Sequence, residues 1–275
     1  MAVLTGAVAF CGIECIRQMP IPAVGLQLWL KADAGVTLNG STVSKWVDQS
    51  GNGNHAIQLD AGRQPVLVSN ALNGKPALRF DGFDDRLGLT GSKRMSQISL
   101  FMVFRGDSGG NRYDPIGFGD MDADGQIWGV DMQSSSTVYS PDTVNIFAGF
   151  NGVVHAVVPH SAAFSLWHNI SVVTDSVMWS TTVRASGVDA QVMQAENNMF
   201  ISVPIGNSSG TGVGGIAGAD GVRLPTGRTV AKCDIAEVIL YDTVLPDSLR
   251  RSVEQYLAAR YDLSQMIKAG KQHAR

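Results

Sequence analysis

Glutamate is scarce in this chain. Of its 24 acidic residues, Glu14, Glu196, Glu237 and Glu254 are glutamates, which leaves 20 aspartates. Aspartate favours turns and glutamate favours helices, so the imbalance argues against a helical protein. Charge of either sign is also sparse. Only 16% of residues are charged, with a net charge of −3 and a pI near 5.9. This excludes a basic nucleic-acid binder and a disordered chain. Three cysteines, Cys11, Cys15 and Cys233, are too few and of the wrong parity for a disulfide framework. A zinc site needs a fourth ligand, and the five histidines stand in no metal-ligand spacing. The cysteines are therefore expected to be reduced and to act as small buried hydrophobes. No apolar run reaches the roughly 18 residues that span a bilayer, so a soluble chain without membrane insertion is expected. Residues 1–16 are apolar but lack a basic leading region and carry Glu14. No signal peptide is recognised, and the expectation is cytoplasmic synthesis, with a virion or an extracellular surface as destinations.

What is abundant is apolar residues, at 44%, and glycine, at 31 positions. From about 26 to 241 the chain runs in short apolar segments broken by glycine, asparagine, aspartate or proline, which is the rhythm of strands and turns. Strands are expected at 26–31, 43–47, 77–80, 98–104, 126–132, 144–150, 153–158, 165–174, 177–183, 199–203 and 234–241. No helical stretch between them is long enough to cross over between parallel neighbours, so the sheet should be antiparallel. One helix is expected at 246–262. It has Pro246 and Asp247 at its start, and Leu249, Val253, Tyr256, Leu257 and Tyr261 along one face. Seven glycines crowd positions 206–221, where Gly210, Gly212 and Gly215 form a G-x-G-x-x-G string; with no helix after it, a dinucleotide site is discarded. The expected organisation is an apolar arm or extra strand at 1–20, a single sandwich at 21–263 and a basic tail at 264–275.

Three segments resemble the concanavalin A-like lectin/glucanase superfamily, in its laminin G-like branch. The first runs from Leu28-Trp29-Leu30-Lys31-Ala32-Asp33 into Trp46-Val47-Asp48-Gln49-Ser50-Gly51-Asn52-Gly53. The second is Asn73-Gly74-Lys75-Pro76-Ala77-Leu78-Arg79-Phe80-Asp81-Gly82-Phe83-Asp84-Asp85, and the third is Asp234-Ile235-Ala236-Glu237-Val238-Ile239-Leu240-Tyr241-Asp242, followed by the helix. The resemblance implies an all-β, two-sheet antiparallel jelly-roll sandwich with a C-terminal helix packed on it. It also implies binding of carbohydrate or protein surfaces, often with calcium at the rim.

Read for chemistry, these segments are mostly structural. Asp48 is placed to accept backbone N–H bonds in a turn, and Asn52-Gly53 is a hairpin dipeptide because both residues tolerate positive φ. Asp81, Asp84 and Asp85 concentrate carboxylates at one bend, read first as a turn and second as a cation site. The calcium-loop order is met by Asp120, Asp122, Asp124, Gln126 and Asp131 at positions 1, 3, 5, 7 and 12, with Gly125 at 6. The alternative is an acidic hairpin loop, because the flanks look like strands and Asp131 has a short arm. Trp128, Tyr113 and Tyr139 flank that loop and are the candidate sugar-stacking rings, whereas Trp29 and Trp46 are expected in the core. Catalysis is not expected. The glucanase members of the superfamily use closely spaced glutamates on one strand, and the four glutamates here are scattered.

Two functions follow. One is a non-catalytic adhesion module that recognises carbohydrate or another surface ligand through rim loops, with calcium as its cofactor. The other is a structural assembly protein, such as a phage virion or tail component, whose apolar arm docks onto a neighbouring subunit. An arm that covers its own sandwich is the simpler alternative to that docking.

Overall fold

The computed structural model describes residues 20–106 and 231–263. Between them it describes the strand segments 112–120, 126–133, 143–148, 152–157, 168–175, 180–185, 188–189, 191–195, 203–205 and 215–216, with side chains only at 116–118, 129–130, 171–175, 182 and 205. The expected arm, the basic tail, Cys11 and Cys15 lie outside the described residues.

Short strands follow one another almost without interruption. The first half holds β1 (Leu26–Lys31), β2 (Val36–Asn39), β3 (Thr42–Trp46), β4 (Ala56–Ile57), β5 (Val66–Leu72), β6 (Lys75–Asp81), β7 (Leu87–Leu89), β8 (Arg94–Met95), β9 (Gln97–Gly106) and β10 (Arg112–Asp120). The second holds β11 (Gln126–Gln133), β12 (Thr143–Ala148), β13 (Gly152–Val157), β14 (His168–Asp175), β15 (Ser180–Ala185), β16 (Val188–Asp189), β17 (Gln191–Ala195), β18 (Val203–Pro204), β19 (Gly215–Ile216) and β20 (Lys232–Tyr241), before α1 (Asp247–Arg260). Every strand pairing among the described residues is antiparallel, as expected from the short connections. The pairings close into one curled sheet that folds over itself as a two-layer sandwich; β8 and β18 form a separate pair. In the layer that carries the helix, β5, β6, β20, β9, β14 and β15 lie side by side, and β1 joins the far end of β20.

Residue alternation on these strands feeds two cores. Leu78 and Phe80 of β6, Ile235 and Val238 of β20, and Leu100, Met102 and Phe104 of β9 point inward with Trp46, Leu28 and Phe118. The opposite face presents Ala77, Phe101, Val103 and Ile239 to Val253, Leu257 and Tyr261 under the helix. Buried on both faces, β9 and β20 read as near-continuous apolar runs. Trp29 and Trp46 are both core residues, as expected, and Cys233 is a buried free thiol. No described helix is long and apolar enough to cross a membrane.

Two local expectations are corrected. Asn52-Gly53 is not a two-residue hairpin turn but part of the longer loop, 47–55, that joins the antiparallel pair β3 and β4: Gly51 and Gly53 take positive φ, and Asn52 donates its amide to Leu26 O at 2.8 Å. A tight hairpin lies at Asn73-Gly74, φ 47° and 78°, between β5 and β6, where paired positive φ suits the twist of the strands. On α1 the buried stripe is Arg250, Val253, Glu254, Leu257 and Ala258, and Leu249 is exposed. A stripe spaced i, i+3, i+4, i+7 starting at 250 leaves 249 about 100° away. Arg250 is tolerated there because it bonds Glu254 Oε1 at 2.7 Å and Asp247 Oδ1 at 2.9 Å, while Ser171 Oγ donates to the same Glu254 oxygen at 2.7 Å.

Candidate functional site

Glu237 is structural. Fully buried on β20, its carboxylate accepts from Trp29 Nε1 at 2.6 Å, Tyr256 OH at 3.0 Å, Arg260 Nε at 2.9 Å and Tyr261 OH at 2.8 Å. Burial and the Glu237 charge push both phenols well above the usual tyrosine range, so they stay donors. Asp48 is likewise spent on its turn, accepting from Trp29 N at 2.9 Å, Ser50 N at 2.9 Å and Asn54 N at 3.0 Å.

Polar groups meet open space at the end of the helix-bearing layer, beyond α1. An open cleft of about 560 Å³ lies there, lined by Val66, Arg79, Asp81, Asp85, Arg105, Lys232 and Asp234 among others. Strand register builds it. Val66 pairs with Arg79, Arg79 with Asp234, and Asp234 with Arg105, so these four residues form one row across β5, β6, β20 and β9. Asp81 and Lys232 form the next row, two residues along the same face.

Asp234 is almost completely buried and holds both arginines. Arg79 grips it with two bonds, Nε to Oδ1 at 2.8 Å and Nη2 to Oδ2 at 2.9 Å, and Arg105 Nη2 reaches Oδ2 at 2.5 Å. Burial pushes the Asp234 carboxyl up, but the two guanidiniums outweigh it and hold it below the usual carboxylate range. The Arg79 guanidinium is raised, chiefly by its bond to Asp234. Its side chain is nonetheless 50% exposed, and among the described residues Asp234 is its only partner, which leaves Nη1 facing the cleft.

The loop after β6 forms the cleft's edge. Gly82 turns it at φ +77°, and a Cβ there would meet Lys232 Cβ at 2.5 Å, so only glycine lets the loop lie this close to β20. Asp81 Oδ1 then accepts from Phe83 N at 2.7 Å, Asp84 N at 3.2 Å and Asp85 N at 3.4 Å, while Asp85 Oδ2 accepts from Asp81 N at 3.1 Å. The carboxylates of Asp81, Asp84 and Asp85 come within 4.8 Å of one another, but their bonds are those of a turn. Burial and the neighbouring Asp81 charge push the Asp85 carboxyl up to about 6. Phe83, at the tip, is 84% exposed.

No protein-family model matches the chain, and no curated protein matches it. Solved structures share its fold. An arabinofuranosidase complexed with arabinofuranosyl-alpha-1,2-xylobiose superposes with a TM-score of 0.55 and 13% identity, over 80% of this chain and 51% of its own. A Trypanosoma rangeli sialidase in complex with the inhibitor DANA gives 0.51 and 14%, over 92% and 35%. The binding domain of Paraclostridial Mosquitocidal Protein 1 gives 0.51 and 12%, over 84% and 52%. The chain thus spans a third to a half of each, and at these identities the likeness is one of fold.

The residues expected from sequence to carry the site are only partly brought together. Asp120 and Gln126 face each other as the last pair of the β10–β11 hairpin, and Tyr113 and Trp128 lie on those two strands, paired with Met132 and Phe118. Asp122, Asp124 and Tyr139 lie outside the described residues. Asp131 is inside β11, paired with Asn145, five residues up the strand from Gln126. At about 3.3 Å per residue that is roughly 16 Å, too far to close one cation shell with Asp120. Sequence reading missed the cleft because Arg79 and Asp234 are 155 positions apart. The available signal was Arg79 itself, a charge flanked by Leu78 and Phe80 in a strand.

Proposed function

We propose that this chain is a non-catalytic, concanavalin A-like carbohydrate-binding module whose ligand face is the polar cleft at the end of β6, β20 and β9. The observation that carries this reading is the Arg79–Asp234–Arg105 row: guanidiniums held in place by a buried carboxylate and presented to a cleft large enough for a sugar unit. Preorganised polar groups of this kind lower the ordering cost of binding. Neighbours of the same fold named as a sialidase and as an arabinofuranosidase in complex with an arabinofuranosyl xylobiose support a sugar ligand. A binding role is favoured over hydrolysis by the state of the described acids. Glu237 and Glu254 are locked in ion pairs, and Asp81 and Asp85 hold the backbone of a single turn instead of flanking a scissile bond.

A glycan array probed with the full chain tests the reading, alongside reducing-sugar release from every glycan that binds. Binding without release is expected. A blank array together with self-association of the chain would favour the assembly-protein reading instead.

A further inference from the structure

We infer that the cleft takes an uncharged saccharide, which stacks on Phe83 and bridges Arg79 and Asp81. This rests on the carbohydrate reading above and adds the ligand's charge and the contacts that hold it.

Charge balance decides the ligand class. The cleft wall carries three cations, Arg79, Arg105 and Lys232, against three acids, Asp81, Asp85 and Asp234, and Asp84 stands on the adjoining loop. An anionic sugar would gain Arg79 but face Asp81, Asp84 and Asp85; a cationic ligand would face the reverse conflict. A hydroxyl both donates and accepts, and a row of hydroxyls suits a wall that alternates the two signs.

The open valences agree. Arg79 offers Nη1, since Nε and Nη2 are engaged by Asp234. Asp81 offers Oδ2, since the three loop N–H groups all go to Oδ1. The two residues lie on one face of β6, their Cα atoms about 6.7 Å apart by strand rise, so one donor and one acceptor point at the same ligand. Apolar surface completes the arrangement. Phe83 is exposed on the loop whose ends, Asp81 and Asp85, line the cleft, and Val66, 41% exposed, closes the other side of the row. A ring with a polar edge and an apolar C–H face is matched by an aromatic beside hydrogen-bonding groups.

The test is calorimetric titration of the full chain with neutral tetrasaccharides (cello-, xylo-, manno- and arabino-) beside tetragalacturonate and a sulfated heparin tetrasaccharide. At least one neutral probe is expected to bind, with less than twofold change in affinity between 50 and 500 mM NaCl. Phe83→Ala, at a side chain that makes no part of the core, should weaken that binding at least fivefold, and Arg79→Ala at least tenfold. Salt-sensitive preference for the galacturonate or the sulfated probe would overturn the charge assignment and leave the carbohydrate reading intact. Neutral binding that neither substitution weakens would overturn the site. Failure of all six probes would overturn the inference, and the carbohydrate reading falls with it only if the glycan array is also blank.

Discussion

The indole N–H of Trp29 donates to Glu237 Oε1 at 2.6 Å, joining residues 208 positions apart. With Tyr256, Tyr261 and Arg260 on the same carboxylate, this bond fixes the C-terminal helix to the first and last long strands of its layer. Asp33 completes the cluster by pairing with Arg260 Nη2 at 2.5 Å.

Removing the Glu237 charge leaves two buried donors, the half-buried Tyr256 hydroxyl and the Arg260 guanidinium short of a partner. Glu237→Ala is expected to cost about 3–5 kcal/mol of stability. Glu237→Gln, which keeps an acceptor but not the charge, should cost less. Urea titration followed by tryptophan fluorescence measures both, and two variants as stable as the parent would refute the account of this cluster.

Arg250 and Glu254 form a buried pair on the helix, with Ser171 Oγ of β14 bonded to the same Glu254 oxygen. Arg250→Ala alone should destabilise by about 3 kcal/mol, through loss of the guanidinium that balances the buried Glu254 charge. Arg250→Met combined with Glu254→Leu should recover most of that loss. A double-mutant cycle by chemical denaturation reads the coupling.

Asp48 holds Ser50 N, Asn54 N and the Ser50 hydroxyl in one turn and ties that turn to Trp29 N of β1. Asp48→Ala strands these donors and is expected to cost about 2–3 kcal/mol, with Asp48→Asn intermediate. Thermal melts compare the three proteins.

Asp85 has a folded pKa raised from the ordinary 3.8 to about 6. Its contribution to stability is therefore complete below pH 4 and is lost as pH rises through 6, on the order of 2 kcal/mol after screening by the open cleft. Asp85→Asn stays neutral and still accepts from Asp81 N. The variant should match the parent at pH 4 and exceed it at pH 7.5. Asp234 has the opposite sign: its lowered pKa makes its contribution present above 3.8 and lost as pH falls below that. Melts of both proteins across pH 3–8 separate the two groups, and equal profiles would refute the Asp85 assignment.

Much of the architecture was legible from local pattern. The strand at 26–31 falls where the sequence places it, and those at 43–47, 98–104 and 234–241 differ from the structure only at their ends. Several strands escaped, among them Ala56–Ile57, Arg94–Met95, Val188–Asp189, Gln191–Ala195 and Gly215–Ile216, and three more did so for particular reasons. Val36–Asn39 and Val66–Leu72 sit at the surface and mix polar with apolar residues, and Leu87–Leu89 is only three residues long. Asn73-Gly74 and Asn52-Gly53 carry the same dipeptide signal, but only the first closes a two-residue hairpin. In the second the Asn52 side chain finds carbonyl acceptors at Leu26 and Gln27, which hold the loop in another form.

The chain's own periodicity determined that it forms short antiparallel strands and one amphipathic helix, because alternation and turn chemistry act over a few residues. It also assigned Asp48 to a turn. Which charge meets which was decided only by tertiary structure. Arg79, Arg105 and Asp234 become a row only when β6 and β9 dock on either side of β20, and that register is set by the burial of Phe80, Phe104 and Ile235 on the opposite face. A side-chain period of two then leaves the alternate residues no choice of side, and it is on that side, past the end of the helix, that the cleft opens.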